Sequence, residues 1–83
     1  MMIRFHPHAL GRLSERGATE AEVRAAVLEG EMFPAKFGRT GFRRNFRFDA
    51  VWRDRHYAIK QVEAFAVREG EDWLVITVVT RYY

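Results

Sequence analysis

Phe42-Arg43-Arg44-Asn45-Phe46-Arg47-Phe48-Asp49-Ala50-Val51-Trp52 is the stretch on which the fold turns. Apolar residues favour its even positions: Phe42, Phe46, Phe48, Ala50 and Trp52. The odd positions hold Arg43, Asn45, Arg47 and Asp49, with Arg53 one step on. A period of two is the mark of a β-strand with one apolar and one arginine-rich face. Arg44 breaks the alternation and marks a bulge or the strand's start. Upstream, Gly38-Arg39-Thr40-Gly41 reads as a turn. Met32-Phe33-Pro34 reads as a short strand that Pro34 confines to a sheet edge. Downstream, Asp54-Arg55 is the next turn, and residues 56–68 are rich in β-formers but alternate poorly. Glu69-Gly70-Glu71-Asp72 signals a hairpin. Trp73 to Thr80 is apolar on both parities, which predicts a central strand covered on both faces.

The first third follows a different rhythm. Met2 to Phe5 reads as a short edge strand. His6-Pro7 opens a helix, with Pro7 where a missing N–H costs little. Ala9, Leu10 and Leu13 share one face of it, and His8, Arg12, Glu15 and Arg16 the other. Gly17 ends it, and Arg16 reads as a partner for the helix-end carbonyls. Thr19-Glu20-Ala21-Glu22 is a capping-box pattern that opens a second helix, closed by Gly30. Helices followed by hairpin-linked strands make an α+β domain. The expectation is an N-terminal helical hairpin packed on one face of a three- to four-stranded antiparallel sheet, one domain over residues 1–83.

Composition sets the function classes. The 83 residues are 48% hydrophobic and 14% aromatic, which excludes intrinsic disorder. There is no cysteine, so no disulfide, thiol nucleophile or zinc–thiolate site exists. No apolar run approaches the roughly 20 residues of a membrane helix. The N-terminus lacks the apolar core of a signal peptide, so a cytoplasmic protein without a membrane partner is expected. Net charge is +3, unevenly placed. Residues 1–35 hold four Arg against five Glu. Residues 36–60 hold two Lys and six Arg against Asp49 and Asp54. Residues 61–83 hold two Arg against three Glu and Asp72. The middle third carries all the excess, threaded with Phe37, Phe42, Phe46, Phe48, Trp52 and Tyr57. Arginine interleaved with aromatics is one signature of single-stranded nucleic-acid contact, and Arg suits phosphate recognition. The alternative is a strand that simply turns Phe inward and Arg outward.

His8-Ala9-x-x-Arg12-x-x-x-Arg16-Gly17, followed by a capped helix, resembles the N-terminal signature of a bacterial family of unknown function. That family is grouped with the RelE/ParE-like toxins of toxin–antitoxin systems and with the wider RNase fold that includes barnase. Phe46–Arg53, Tyr57–Val62 and Trp73–Val78 resemble it too. The resemblance implies helices on a curved antiparallel sheet and a small antitoxin as partner. It implies either metal-independent cleavage of messenger RNA on the ribosome or, as in ParE-like members, poisoning of gyrase. Lys60, Arg81 and Tyr83 stand at places comparable to the Arg, Lys and Tyr of RelE-like enzymes.

Metal-free RNA cleavage needs a base for the 2′-hydroxyl, cations at the phosphorus and an acid for the leaving oxygen. Arg43, Arg44, Arg47 and Arg81 are candidate phosphate clamps. His56, beside the basic segment, is the expected base or acid, with Lys60 four residues on sharing its strand face if no bulge intervenes. His8 and Arg12, one helical turn apart, offer a phosphate site. The alternative there is that Arg12 pairs with Glu15. Arg53 and Arg55 complete the expected nucleic-acid surface. Tyr82-Tyr83 serves to stack on a base, close the core or pack in a homodimer. No cofactor and no metal are expected. A toxin-like endoribonuclease is the first reading. A non-catalytic nucleic-acid or ribosome-binding module, or a gyrase-directed interaction protein, is the alternative.

Overall fold

In the computed structural model, which describes residues 1–83, the chain runs β1 (Ile3–Phe5), α1 (Pro7–Arg16), α2 (Glu20–Glu29), β2 (Glu31–Pro34), β3 (Thr40–Trp52), β4 (Arg55–Glu69) and β5 (Asp72–Tyr82). The local signals act where the sequence puts them. The Nδ1 of His6 caps α1 by accepting from the His8 amide at 3.0 Å. Gly17 ends α1 in the left-handed conformation at φ 71°. Thr19 and Glu22 close a reciprocal capping box at 3.1 and 3.0 Å.

The strands form one five-stranded sheet in the order β1-β5-β4-β3-β2. This corrects the expected sheet in two respects. There are five strands, and the sheet is mixed, because β1 pairs in parallel with β5 while the other pairs are antiparallel. The helices also do not zip onto each other. α1 lies on β5 and β1, and α2 on β3 and β4. Between them and the sheet sits the core, built on Val23, Phe42, Val62, Ala64, Trp73, Val75 and Val78. Phe42 meets Trp73 edge-on at 5.0 Å. No helix is long and apolar enough to cross a membrane.

β5 lies inside the sheet, between β1 and β4, but only one of its faces is covered by helices. Its double-parity apolar run has another cause. Phe65 pairs with Thr77 and the next residue, Ala66, pairs with Val75, so Ile76 is an extra residue and the inward positions change parity. Trp73 and Val75 point to the helices on one side of the shift, and Val78 on the other. Arg44 is neither bulge nor strand start. It lies within β3, pairs with Val62 and reaches Glu29 of α2 at 3.2 Å.

The helix connection is fastened to the sheet by polar side chains. Lys60, only 6% exposed, rises from β4 among the inward residues. Its ammonium donates to the Gly17 carbonyl at 2.8 Å and pairs with Glu22 at 2.8 Å. The Arg16 carbonyl accepts from the hydroxyls of Thr80 at 2.7 Å and Tyr82 at 2.8 Å. Those donors, not the Arg16 side chain, satisfy the end of α1. A Cβ on residue 17 would overlap Tyr82 and the Trp52 ring, so glycine serves close approach as well as backbone angle.

Removing one partner of a buried, hydrogen-bonded ion pair strands the other charge. Lys60→Ala should therefore lower the free energy of urea unfolding by about 3–5 kcal/mol. Glu22→Ala should show a similar loss. A change in Lys60→Ala no larger than that of an ordinary surface substitution would mean that this tie does not hold the helices.

Candidate nucleic-acid interface

The structure spreads the sequence-selected residues over three places. Lys60 lies under the helix connection, bonded as above and nearly closed off from solvent. His56 is exposed at the far end of the β3–β4 hairpin, paired in register with Val51. The two do not share a strand face. The amides of Ala58 and Ile59 both donate to the Tyr83 carbonyl, at 2.8 and 3.1 Å, so β4 carries a bulge between them. Tyr57 then packs 5.5 Å from Tyr82, on the Lys60 side, and its neighbour His56 points away. Arg81 and Tyr83 lie on the uncovered sheet face and at the chain end.

The arginine face of β3 exists, but carboxylates hold it. Glu63, 4% exposed, sits on the uncovered face between Arg43 at 3.0 Å and Arg81 at 3.3 Å. Arg43 also pairs with Glu31 at 2.9 Å. Its hydrogen bond to Glu63 outweighs burial and raises its pKa further, so its charge is permanent. Arg47 pairs with Asp49 at 2.6 Å. Arg44 is on the opposite face, on Glu29. Of the expected clamps, Arg43 and Arg81 are thus brought together as a ladder around Glu63, whereas Arg44 and Arg47 stand apart from it.

A different set forms a continuous surface along α1 and the hairpin end. Arg12 donates to His8 Nε2 at 3.5 Å and to Glu15 at 2.8 Å. The Glu15 carbonyl accepts from Arg53 at 3.0 Å. The Arg53 guanidinium lies 5.1 Å over the Trp52 ring, and Trp52 stacks on Tyr82 at 5.1 Å and 13°. Tyr57 continues the row, with Arg55 over it at 6.0 Å. Phe48 closes the aromatic group edge-on to Tyr82 at 5.3 Å. Neither Arg53 nor Arg55 takes part in an ion pair, and Arg16 beside them has a buried Nε without a hydrogen-bond partner.

Local backbone presents this group. A two-residue turn, Arg53-Asp54, joins Trp52 to Arg55, with both turn residues at positive φ, 50° and 68°. That geometry matches the strand twist. Asp49, at φ 44°, lies in the β3 bulge between Arg47 and Ala50. Together the bulges swing Trp52 and Tyr57 onto Tyr82. The sequence names Trp52, Tyr57, Arg53 and Arg55, but only the bulges decide that they share a side. Glu22 and Glu63, which fix Lys60 and Arg43, are the residues the sequence reading missed. An acid at Lys or Arg distance across strands carries no local signal. No three His, Asp or Glu side chains gather in a metal-binding arrangement.

Burial raises the Tyr82 pKa above its ordinary 10.0, and the nearby Glu22 charge adds to that. The Thr80 hydroxyl and the Arg53 charge oppose it. A phenol whose folded pKa exceeds its unfolded one stabilises the fold fully below the unfolded value. That contribution disappears as pH rises from about 10 through the folded pKa. Phenolate absorbance, compared between the wild type and Tyr82→Phe, should place the Tyr82 transition above pH 10.0. The wild type should also lose stability more steeply there than the variant. A Tyr82 transition at or below the ordinary value would contradict the burial argument.

Comparison of the chain with known protein families, with curated proteins and with solved structures finds no match to any of them.

Proposed function

We propose that the chain is a nucleic-acid-binding module that grips the phosphodiester backbone of single-stranded RNA with the α1–hairpin surface. The observation that carries this reading is the pair Arg53 and Arg55. Both are free of carboxylates and lie over aromatic rings at the end of a hairpin that extends past β5. A guanidinium held over a ring keeps its N–H groups available to a phosphate. Arg53 spends one N–H on Glu15 and keeps the rest. Arg12 and Arg16 extend the row along α1. Contacts of this kind position a backbone without reading bases, so weak sequence preference and strong salt dependence are expected.

The endoribonuclease reading asks for base, acid and clamp in one place. Of its four residues, Lys60 is buried, His56 is at the hairpin end, and Arg81 is engaged by Glu63. The binding reading needs none of these and uses four of the expected contact residues: His8, Arg12, Arg53 and Arg55. A toxin role with an antitoxin, and action on the ribosome or gyrase, draw on the resemblance alone.

Fluorescence anisotropy with a labelled uridine dodecamer tests the proposal across salt concentrations. Arg53→Ala with Arg55→Ala should weaken binding and flatten the log–log salt slope by about 1.4, at roughly 0.7 per single-strand phosphate contact. Arg47→Ala, on the uncovered sheet face and outside that surface, should change neither, and the RNA should be recovered intact. Equal slopes for the wild type and the double variant would remove the hairpin end as the interface.

A further inference from the structure

At the other end of β3, the uncovered sheet face holds an aromatic cleft of about 590 Å3. Phe33 and Phe65 form its floor, edge to face at 5.9 Å. Phe33 lies flat there because residue 41 is glycine. A Cβ at that position would overlap the ring. Phe37, Lys36, Arg39 and Thr77 complete the rim. Phe37 is 86% exposed and holds a left-handed φ of 62°. A bulky residue at positive φ is strained, and a phenyl ring in water gains no burial in return. The loop is nevertheless ordered by Ala35 donating to the Arg39 carbonyl at 3.0 Å and Arg39 donating to the Lys36 carbonyl at 3.2 Å. Strain stored on an ordered, exposed apolar residue points to a contact made outside the chain. Lys36 and Arg39 have no carboxylate partner.

We propose that this cleft docks a peptide segment of a partner protein, one with an apolar anchor flanked by acidic residues. The anchor fills the space between Phe33, Phe65 and Phe37, and the carboxylates meet Lys36 and Arg39. A nucleobase fits the chemistry worse. Lys36 and Arg39 only donate, so the Thr77 hydroxyl is the one side-chain acceptor in the lining for the donors of a base edge, and an unpaired buried polar group is costly. Free β2, the edge strand beside the cleft, suits an extended segment. This site is separate from the α1–hairpin surface. β3 spans 13 residues between them, about 40 Å at 3.3 Å per residue.

The test uses the full chain and an eight-residue acetylated peptide, Asp-Asp-Leu-Phe-Leu-Asp-Asp-Gly, followed by amide NMR shifts. The expected result is saturable shifts confined to residues 33–42, Phe65 and Thr77. A peptide with lysine in place of each aspartate should produce none. Phe37→Gly removes the anchor and relieves the positive φ. It should weaken peptide binding about tenfold or more while melting at or above the wild-type temperature. Lys36→Glu with Arg39→Glu should also abolish binding. Equal binding of both peptides, or shifts elsewhere, overturns the proposal. So does stronger perturbation of the same amides by the uridine dodecamer. Concentration-dependent self-association abolished by Phe37→Gly would assign the cleft to a second copy instead, and equally overturns it.

Discussion

One buried ammonium holds the two layers in register. Lys60 stands on the central strand β4, among Val62, Ala64 and the other inward residues, and reaches both the end of α1 and the start of α2. Its carboxylate partner, Glu22, also completes the capping box of α2 through its other oxygen. A helix start, a helix end and a strand therefore meet at one charge. An apolar side chain there would fill the space but would not specify which carbonyl and which carboxylate lie above it. With only 16 of 83 residues buried, the core is too small to fix the placement of two ten-residue helices by packing alone. Directional bonds from Lys60, Thr80 and Tyr82 supply the specificity.

That constraint reaches the candidate interface. The hydroxyl of Tyr82 is bound to the α1 end, so its ring is presented in a fixed pose, and Trp52 stacks on it. Arg53 then bridges from the hairpin to Glu15 of α1. The hairpin end would otherwise be a two-stranded ribbon beyond the support of β5, and such ribbons are marginal alone. Docking against α1 through Trp52, Tyr82 and Arg53 makes it a rigid platform. Order at the interface is thus inherited from the tie beneath it.

Much of the architecture is written locally. The caps at His6, Thr19 and Gly17, the turn at Gly70-Glu71 and the edge position of Pro34 follow from residue chemistry within a few positions, whereas the turn expected at Asp54-Arg55 falls one residue earlier, at Arg53-Asp54. The parallel pairing of β1 with β5 joins residues some 70 apart and has no local mark. The double-parity run of β5 reads as a strand buried on both faces because a bulge and a fully buried strand leave the same apolar trace. Charge is the most instructive case. The excess of positive residues in the middle third is real, yet Arg43, Arg44 and Lys60 are each answered by an acid from another element, and Arg47 by Asp49 two residues on in β3. Counting charges along the chain locates the basic segment. Only pairing shows which cations remain free.

The free cations of that segment are Lys36, Arg39, Arg53 and Arg55, and they fall at the two ends of β3. The four non-glycine residues with positive φ fall there too: Phe37 in the loop before β3, Asp49 in its bulge, and Arg53 and Asp54 in the turn after it. The coincidence has a physical basis. Thr40–Arg43 are paired on both sides and the rest of β3 on one, and Arg43 stabilises an uncovered face by neutralising Glu63 and Glu31. A guanidinium committed to a nearly buried carboxylate is not available to a ligand without stranding that carboxylate. Where the pairing stops, side chains are released from the ladder and the backbone can hold angles that a sheet forbids. Both candidate surfaces of this small domain therefore lie at the limits of its longest hairpin, and the face between them serves the fold.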